Sequence, residues 1–185
     1  MPAERPTHVT IPALPQSMEA FLALRDELAG TPEGGAVIAV VALNLYAADP
    51  ESPLGHGALV VAADRSRLTA DAGGYKGWNL TVRDRQHLVR QIAARPWTPR
   101  SYISGTAPAT GYALPEPPYA VELSRNPHVD STQTGRVKVF VACTGAASPR
   151  HVTLQRNNRG LWKAVEWSSL TVGVVPPAVV DDDDL

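Results

Sequence analysis

A chain of 185 residues with 44% hydrophobic and 19% charged residues holds enough apolar side chain for one sizeable core. That composition excludes a disordered or fibrous chain. The formal net charge of −1 excludes the uniformly basic character of most nucleic-acid-binding domains, and the single cysteine, Cys143, excludes an internal disulfide.

In chain order, residues 1–16 are Pro-rich and polar and read as an arm. Between Met1 and Pro15 there is no apolar stretch of the kind that marks a secretory signal, so the expectation is a cytoplasmic protein. Ser17 is a suitable N-cap for a first helix, with Met18, Phe21, Leu22, Arg25 and Leu28 on one face and Gly30 past its end. Thr31-Pro32-Glu33 repeats the start signal as cap, N1 proline and first-turn acid. The run Ala36–Ala48 is apolar all round. Its length and alanines favour a buried helix over a strand, and Asp49-Pro50 stops it. This run is too short to span a bilayer, which needs roughly 20 apolar residues. Residues 54–68 read as a third helix, 70–78 as a loop, and Thr81 as the cap of a fourth helix ending at Ala94, before Pro96. Residues 96–118 form a connection with six prolines (Pro96, Pro99, Pro108, Pro115, Pro117, Pro118), the kind of long segment that carries function or wraps a core.

Beyond it the period changes to two. Tyr119, Val121 and Leu123 alternate with Ala120, Glu122 and Ser124. Val137, Val139 and Val141 follow, then Val152 and Leu154, then Leu161 to Trp167. Cys143 falls in the second of these segments and reads as a small buried residue. Short links make neighbouring strands antiparallel, and Asn157-Asn158-Arg159-Gly160 suits a hairpin. The expected fold class is α+β, with N-terminal helices packed on one face of a C-terminal four-stranded antiparallel meander. The domain occupies residues 17–177, and residues 178–185, ending Asp181-Asp182-Asp183-Asp184-Leu185, form an acidic tail.

Gly135-Arg136-Val137-Lys138-Val139-Phe140-Val141, Val152-Thr153-Leu154-Gln155-Arg156-Asn157, Gly160-Leu161-Trp162-Lys163 and Glu166-Trp167-Ser168-Ser169-Leu170-Thr171-Val172-Gly173-Val174 together resemble an uncharacterised bacterial family, a domain of unknown function. Tyr75-Lys76-Gly77, Pro99-Arg100-Ser101-Tyr102 and Pro117-Pro118-Tyr119 belong to the same pattern. The resemblance covers roughly residues 17–177. It implies one intact domain of bacterial origin and carries over no catalytic or binding residue.

The chemistry-bearing residues are sparse. His8, His56, His87, His128 and His151 are not spaced as metal ligands, so neither a metal nor a cofactor is expected. There is no nucleophile elbow, and Ser168-Ser169 reads as a turn cap. Gly55-His56-Gly57 is a weak candidate anion nest. Glu122 and Glu166 sit on separate strands. Charge is uneven: residues 65–100 carry Arg65, Arg67, Lys76, Arg83, Arg85, Arg90, Arg95 and Arg100 against Asp71 and Asp84 only. Aromatics interleave with these cations, and the candidate partner- or ligand-binding residues are Tyr75, Lys76, Trp78, Arg83, Arg100 and Tyr102. The expectation is a non-enzymatic protein-interaction or binding domain. The alternative is a small-ligand domain or enzyme with its site under the 96–118 loop. Nucleic acid and membrane are disfavoured as partners.

Overall fold

The computed structural model of the chain describes residues 6–179. Its elements are β1 (Thr7–Ile11), α1 (Met18–Leu28), α2 (Pro32–Ala48), α3 (Pro53–Ala62), β2 (Leu68–Tyr75), β3 (Trp78–Leu80), α4 (Val82–Leu88), β4 (Tyr119–Arg125), β5 (Val137–Val141), β6 (Arg150–Arg156) and β7 (Trp162–Glu166). The α+β class stands: the helices precede four strands of a five-stranded antiparallel sheet ordered β1-β4-β5-β6-β7, whose first strand β1 comes before them.

The first three helices begin at side-chain caps. Ser17 Oγ accepts the Ala20 amide at 3.1 Å and Thr31 Oγ1 accepts the Gly34 amide at 3.1 Å, while Ser52 Oγ accepts the Leu54 amide at 3.2 Å. Each satisfies an amide that the helix itself leaves unpaired. The all-round apolar α2 is the central helix, buried from Gly34 to Ala47 between α1, α3 and the strands β5, β6 and β7. It lies close to the sheet because Gly35 faces Trp162: a Cβ at Gly35 would stand 2.8 Å from Trp162 Cβ and 2.9 Å from Leu154 Cδ2.

The sheet has one strand more than the four-stranded meander. Thr7–Ile11, within the segment read as an arm, pairs along β4 from Thr7 opposite Leu123 to Ile11 opposite Tyr119. Ile11 is fully buried and Val9 packs partly buried against the core, so two apolar side chains and a ladder of backbone bonds hold the strand. The 70–78 loop is a β2–β3 hairpin turning at Lys76-Gly77, with φ of 49° and 82°. Two successive positive φ values are what a tight hairpin needs, and lysine is a rare first residue for them. The third helix ends at Ala62 rather than Leu68, because Ala63 and Asp64 bridge to Ala164 and cover the β7 edge. Cys143 lies just past β5 and is half-buried, its Sγ 3.3 Å from Ser101 Oγ. From residue 180 onward the acidic tail lies outside the described residues, as do residues 1–5 of the arm.

Residues 96–118 wrap the core. Asn44 Nδ2, on buried α2, donates to Pro99 O at 3.0 Å. The Thr144 amide donates to Ser101 O at 2.8 Å, and Tyr102, 1% exposed, donates its hydroxyl to Leu170 O at 2.9 Å. Among the described residues, no helix is long and apolar enough to cross a membrane.

Candidate functional site: a basic cleft between α4 and the end of β7

Thr81 caps α4 by accepting the Asp84 amide at 3.2 Å. After Leu88 the helix widens into a π turn over Val89–Ala93, where the Ala94 amide reaches back to Val89 O at 3.3 Å. Arg83, His87 and Arg90, four and three residues apart, share one face of this unit. Opposite stands the end of β7. There the β6 register slips: Leu154 pairs with Ala164 but Thr153 pairs with Glu166, so Val165 is an extra residue. Regular alternation would place Glu166 on the inward face with Trp162 and Ala164. The bulge instead turns Glu166 outward and Trp167 inward. Two backbone irregularities of kinds enriched at functional sites therefore border one concavity.

That concavity is a cleft of about 350 Å³, lined by Arg67, Arg83, Asp84, His87, Arg90, Glu166, Trp167 and Ser168. Arg67, brought in by the turn after the Asp64–Ala164 contact, grips Asp84 with Nη2 at 3.0 and 3.1 Å from the two carboxylate oxygens. Arg83 and Arg90 make no ion pair among the described residues. Crowding alone would raise the Glu166 carboxyl. The Ser168 hydroxyl at 2.6 Å, the Ser168 amide at 2.9 Å and the Arg67 charge outweigh that and hold it below its ordinary value. Glu166 is thus a fixed carboxylate and a weak base, and the Ser168 hydroxyl that donates to it is not an activated nucleophile. Trp167 meets His87 edge to face, ring centroids 6.4 Å apart. Among the described residues, no group of three or more His, Cys, Asp or Glu is placed to hold a metal ion.

Of the six candidate residues, Arg83 alone lines this cleft. Tyr75, Lys76 and Trp78 lie on the β2–β3 hairpin, where Arg65 stacks on Trp78 at 3.0 Å and Lys76 stands 5.6 Å from the Tyr75 ring. Arg100 and Tyr102 belong to the wrap, and buried Tyr102 anchors it. Glu122 lies 3.4 Å from His8 across β4 and β1, with β5 and β6 between it and the β7 strand of Glu166. Gly55 and Gly57 are buried inside α3, where a Cβ on Gly55 would come within 2.7 Å of Tyr46 Cα, so they serve close packing rather than an anion nest. His87, Arg90, Arg67 and Glu166 line the cleft but are not among the six candidate binding residues of the sequence. The Arg83/His87/Arg90 spacing is the signal legible in the chain, since it places the three side chains on one helical face.

Residues 13–178 match the model of a domain of unknown function (DUF6935), and the chain belongs to that family. No curated protein matches the chain, and no solved structure matches it.

Proposed function

We propose that the protein is a non-enzymatic binding domain of the cytoplasm whose working surface is the α4–β7 cleft, and that this cleft recognises an anionic group. The observation that carries the reading is the placement of Arg83 and Arg90, two guanidiniums without carboxylate partners among the described residues, in one concavity beside His87. Arginine forks suit oxyanions, and a concave site with low-dielectric walls strengthens the attraction. The hydroxyls in and beside the cleft argue for binding over catalysis: Ser168 donates to a weakly basic carboxylate, and Thr171 donates to Ser168 O at 2.7 Å.

A protein partner carrying the anionic group is the second reading, favoured by Val82 and Val89, which are 57% and 58% exposed on α4 and its π turn. A partner seated there would cover them while placing a carboxylate or phosphate against Arg90.

The test is calorimetric titration of the full chain with inorganic phosphate, sulfate and citrate at low salt, repeated on the R83A/R90A double variant. The expected result is saturable binding that the double variant weakens by at least about tenfold, or ~1.4 kcal/mol. Absence of any binding up to about 1 mM anion, a free energy of only about 4 kcal/mol, would overturn the reading. So would binding that ignores both arginines.

A further inference from the structure

The cleft is polar at both ends, and the ends differ in sign. On the α4 side stand Arg83, Arg90 and the His87 ring. On the β7 side stands Glu166, whose Oε1 takes both Ser168 donors while Oε2 has no side-chain partner among the described residues. Arg67 and Asp84 neutralise each other between them. A simple anion matches only half of this lining and would be repelled by Glu166. A ligand that matches the whole carries negative charge at one end and hydrogen-bond donors at the other.

His87 narrows the class. Thr171 spends its one hydroxyl proton on Ser168 O at 2.7 Å, so in the 2.6 Å contact between Thr171 Oγ1 and His87 Nε2 the donor is the imidazole. The ring is therefore held with Nε2 committed, and Nδ1, without a partner among the described residues, is left for the ligand as an acceptor: it takes the P–O–H of a phosphate monoanion, a donor that an ionised carboxylate lacks. Two guanidiniums and an imidazole approaching from successive turns of one helical unit surround a tetrahedral oxyanion better than a planar carboxylate, which one guanidinium already satisfies side on. A volume of about 350 Å³ is far more than a bare phosphate needs and falls at the small end of organic-ligand sites.

Building on the anion-binding reading above, we propose that the cleft takes a small hydroxylated phosphomonoester, a polyol or sugar phosphate. The phosphate sits among Arg83, Arg90 and His87, and a ligand hydroxyl donates to Glu166.

The experiment is calorimetric titration of the full chain, at fixed ionic strength, with ribose 5-phosphate, ethyl phosphate, inorganic phosphate and citrate. Ribose 5-phosphate is expected to bind at least about tenfold more tightly than ethyl phosphate, which has the charge but no hydroxyl. E166Q is expected to remove that preference while ethyl phosphate binding is kept or strengthened, because the repelling charge is gone, and the retained ethyl phosphate affinity itself reports a folded cleft. R83A/R90A is expected to weaken both phosphate esters. Equal binding of the two esters, or tighter binding of citrate, overturns this proposal while anion recognition stands. If none of the four probes binds, anion recognition falls with it.

Discussion

His87 Nε2 and Thr171 Oγ1 lie 2.6 Å apart, although 84 residues separate them in the chain. The contact fastens α4 to the turn that follows β7, and thereby sets the two walls of the cleft against each other. Because the Thr171 hydroxyl proton already belongs to Ser168 O, neutral His87 is predicted to exist as the Nε2–H tautomer. Nitrogen-15 correlation spectra of the imidazole check this directly. In Thr171→Val the acceptor is gone, and the spectra are expected to show a tautomer mixture. Thr171 is 1% exposed, so losing its hydrogen bonds is expected to cost about 1–2 kcal/mol in chemical denaturation.

Burial raises the hydroxyls of Tyr46, Tyr102 and Tyr112 above their ordinary value, most strongly at Tyr102. The unfolded chain loses these protons at a pH near 10, whereas the native state keeps them longer. The stability they contribute is therefore fully present below pH ~10 and is lost progressively as the pH rises beyond it. Tyr102→Phe is expected to flatten that alkaline loss. At neutral pH it is expected to cost about 1–2 kcal/mol, because Leu170 O is left without its donor. Urea denaturation at neutral pH and at pH values above 10 separates the two effects, and anion binding by the cleft is expected to be unchanged.

What could be read from the chain divides along physical lines. Ser17, Thr31 and Thr81 announce their helices because a cap is local: the residue, the amide it bonds and the helix it starts lie within four positions. The alternation of Val121, Leu123, Val139, Val141, Val152 and Leu154 announces strands for the same reason. β1 was hidden because its partner is more than a hundred residues away and only Ile11 of its five residues is fully buried. The bulge at Val165 was equally silent. Alternation across Leu161–Trp167 predicts which side chains share a face, but nothing local says where one residue is doubled. The cleft depends on that doubling, because it alone turns Glu166 outward from a strand whose pattern is otherwise that of core packing.

The closeness of α2 to the sheet yields a packing prediction. Gly35→Ala would put a methyl group 2.8 Å from both Trp162 Cβ and Trp162 O, where backbone as well as side chain must move. The helix must lift from β6 and β7, and overpacking of this kind costs about 1–3 kcal/mol. Alanine's better helix propensity offsets less than about 1 kcal/mol of that. A thermal melt of the variant is expected to fall by several degrees, on the order of 2–8 °C for a domain of this size.

Lys163, on β7, donates its ammonium to Val61 O near the end of α3. Burial, reinforced by the Arg25 and Arg159 charges, lowers its pKa to about 8. The helix C-terminus favours the charge, but water removed from the amine outweighs it. In the unfolded chain the amine holds its proton to about 10.4, so between roughly pH 8 and that value the unfolded state binds more protons and stability rises with pH. The burial penalty is fully present below pH 8 and is relieved above it, opposite in sign to the tyrosine effect that takes over near pH 10. Carbon-13 labelling of the lysines resolves Lys76, Lys138 and Lys163. The Lys163 signal is expected to titrate near pH 8, and a Lys163 midpoint at the ordinary lysine value would show that the amine is hydrated in solution. Lys163→Met is expected to remove the rise in stability between pH 8 and 10 while leaving the tyrosine-driven loss above it.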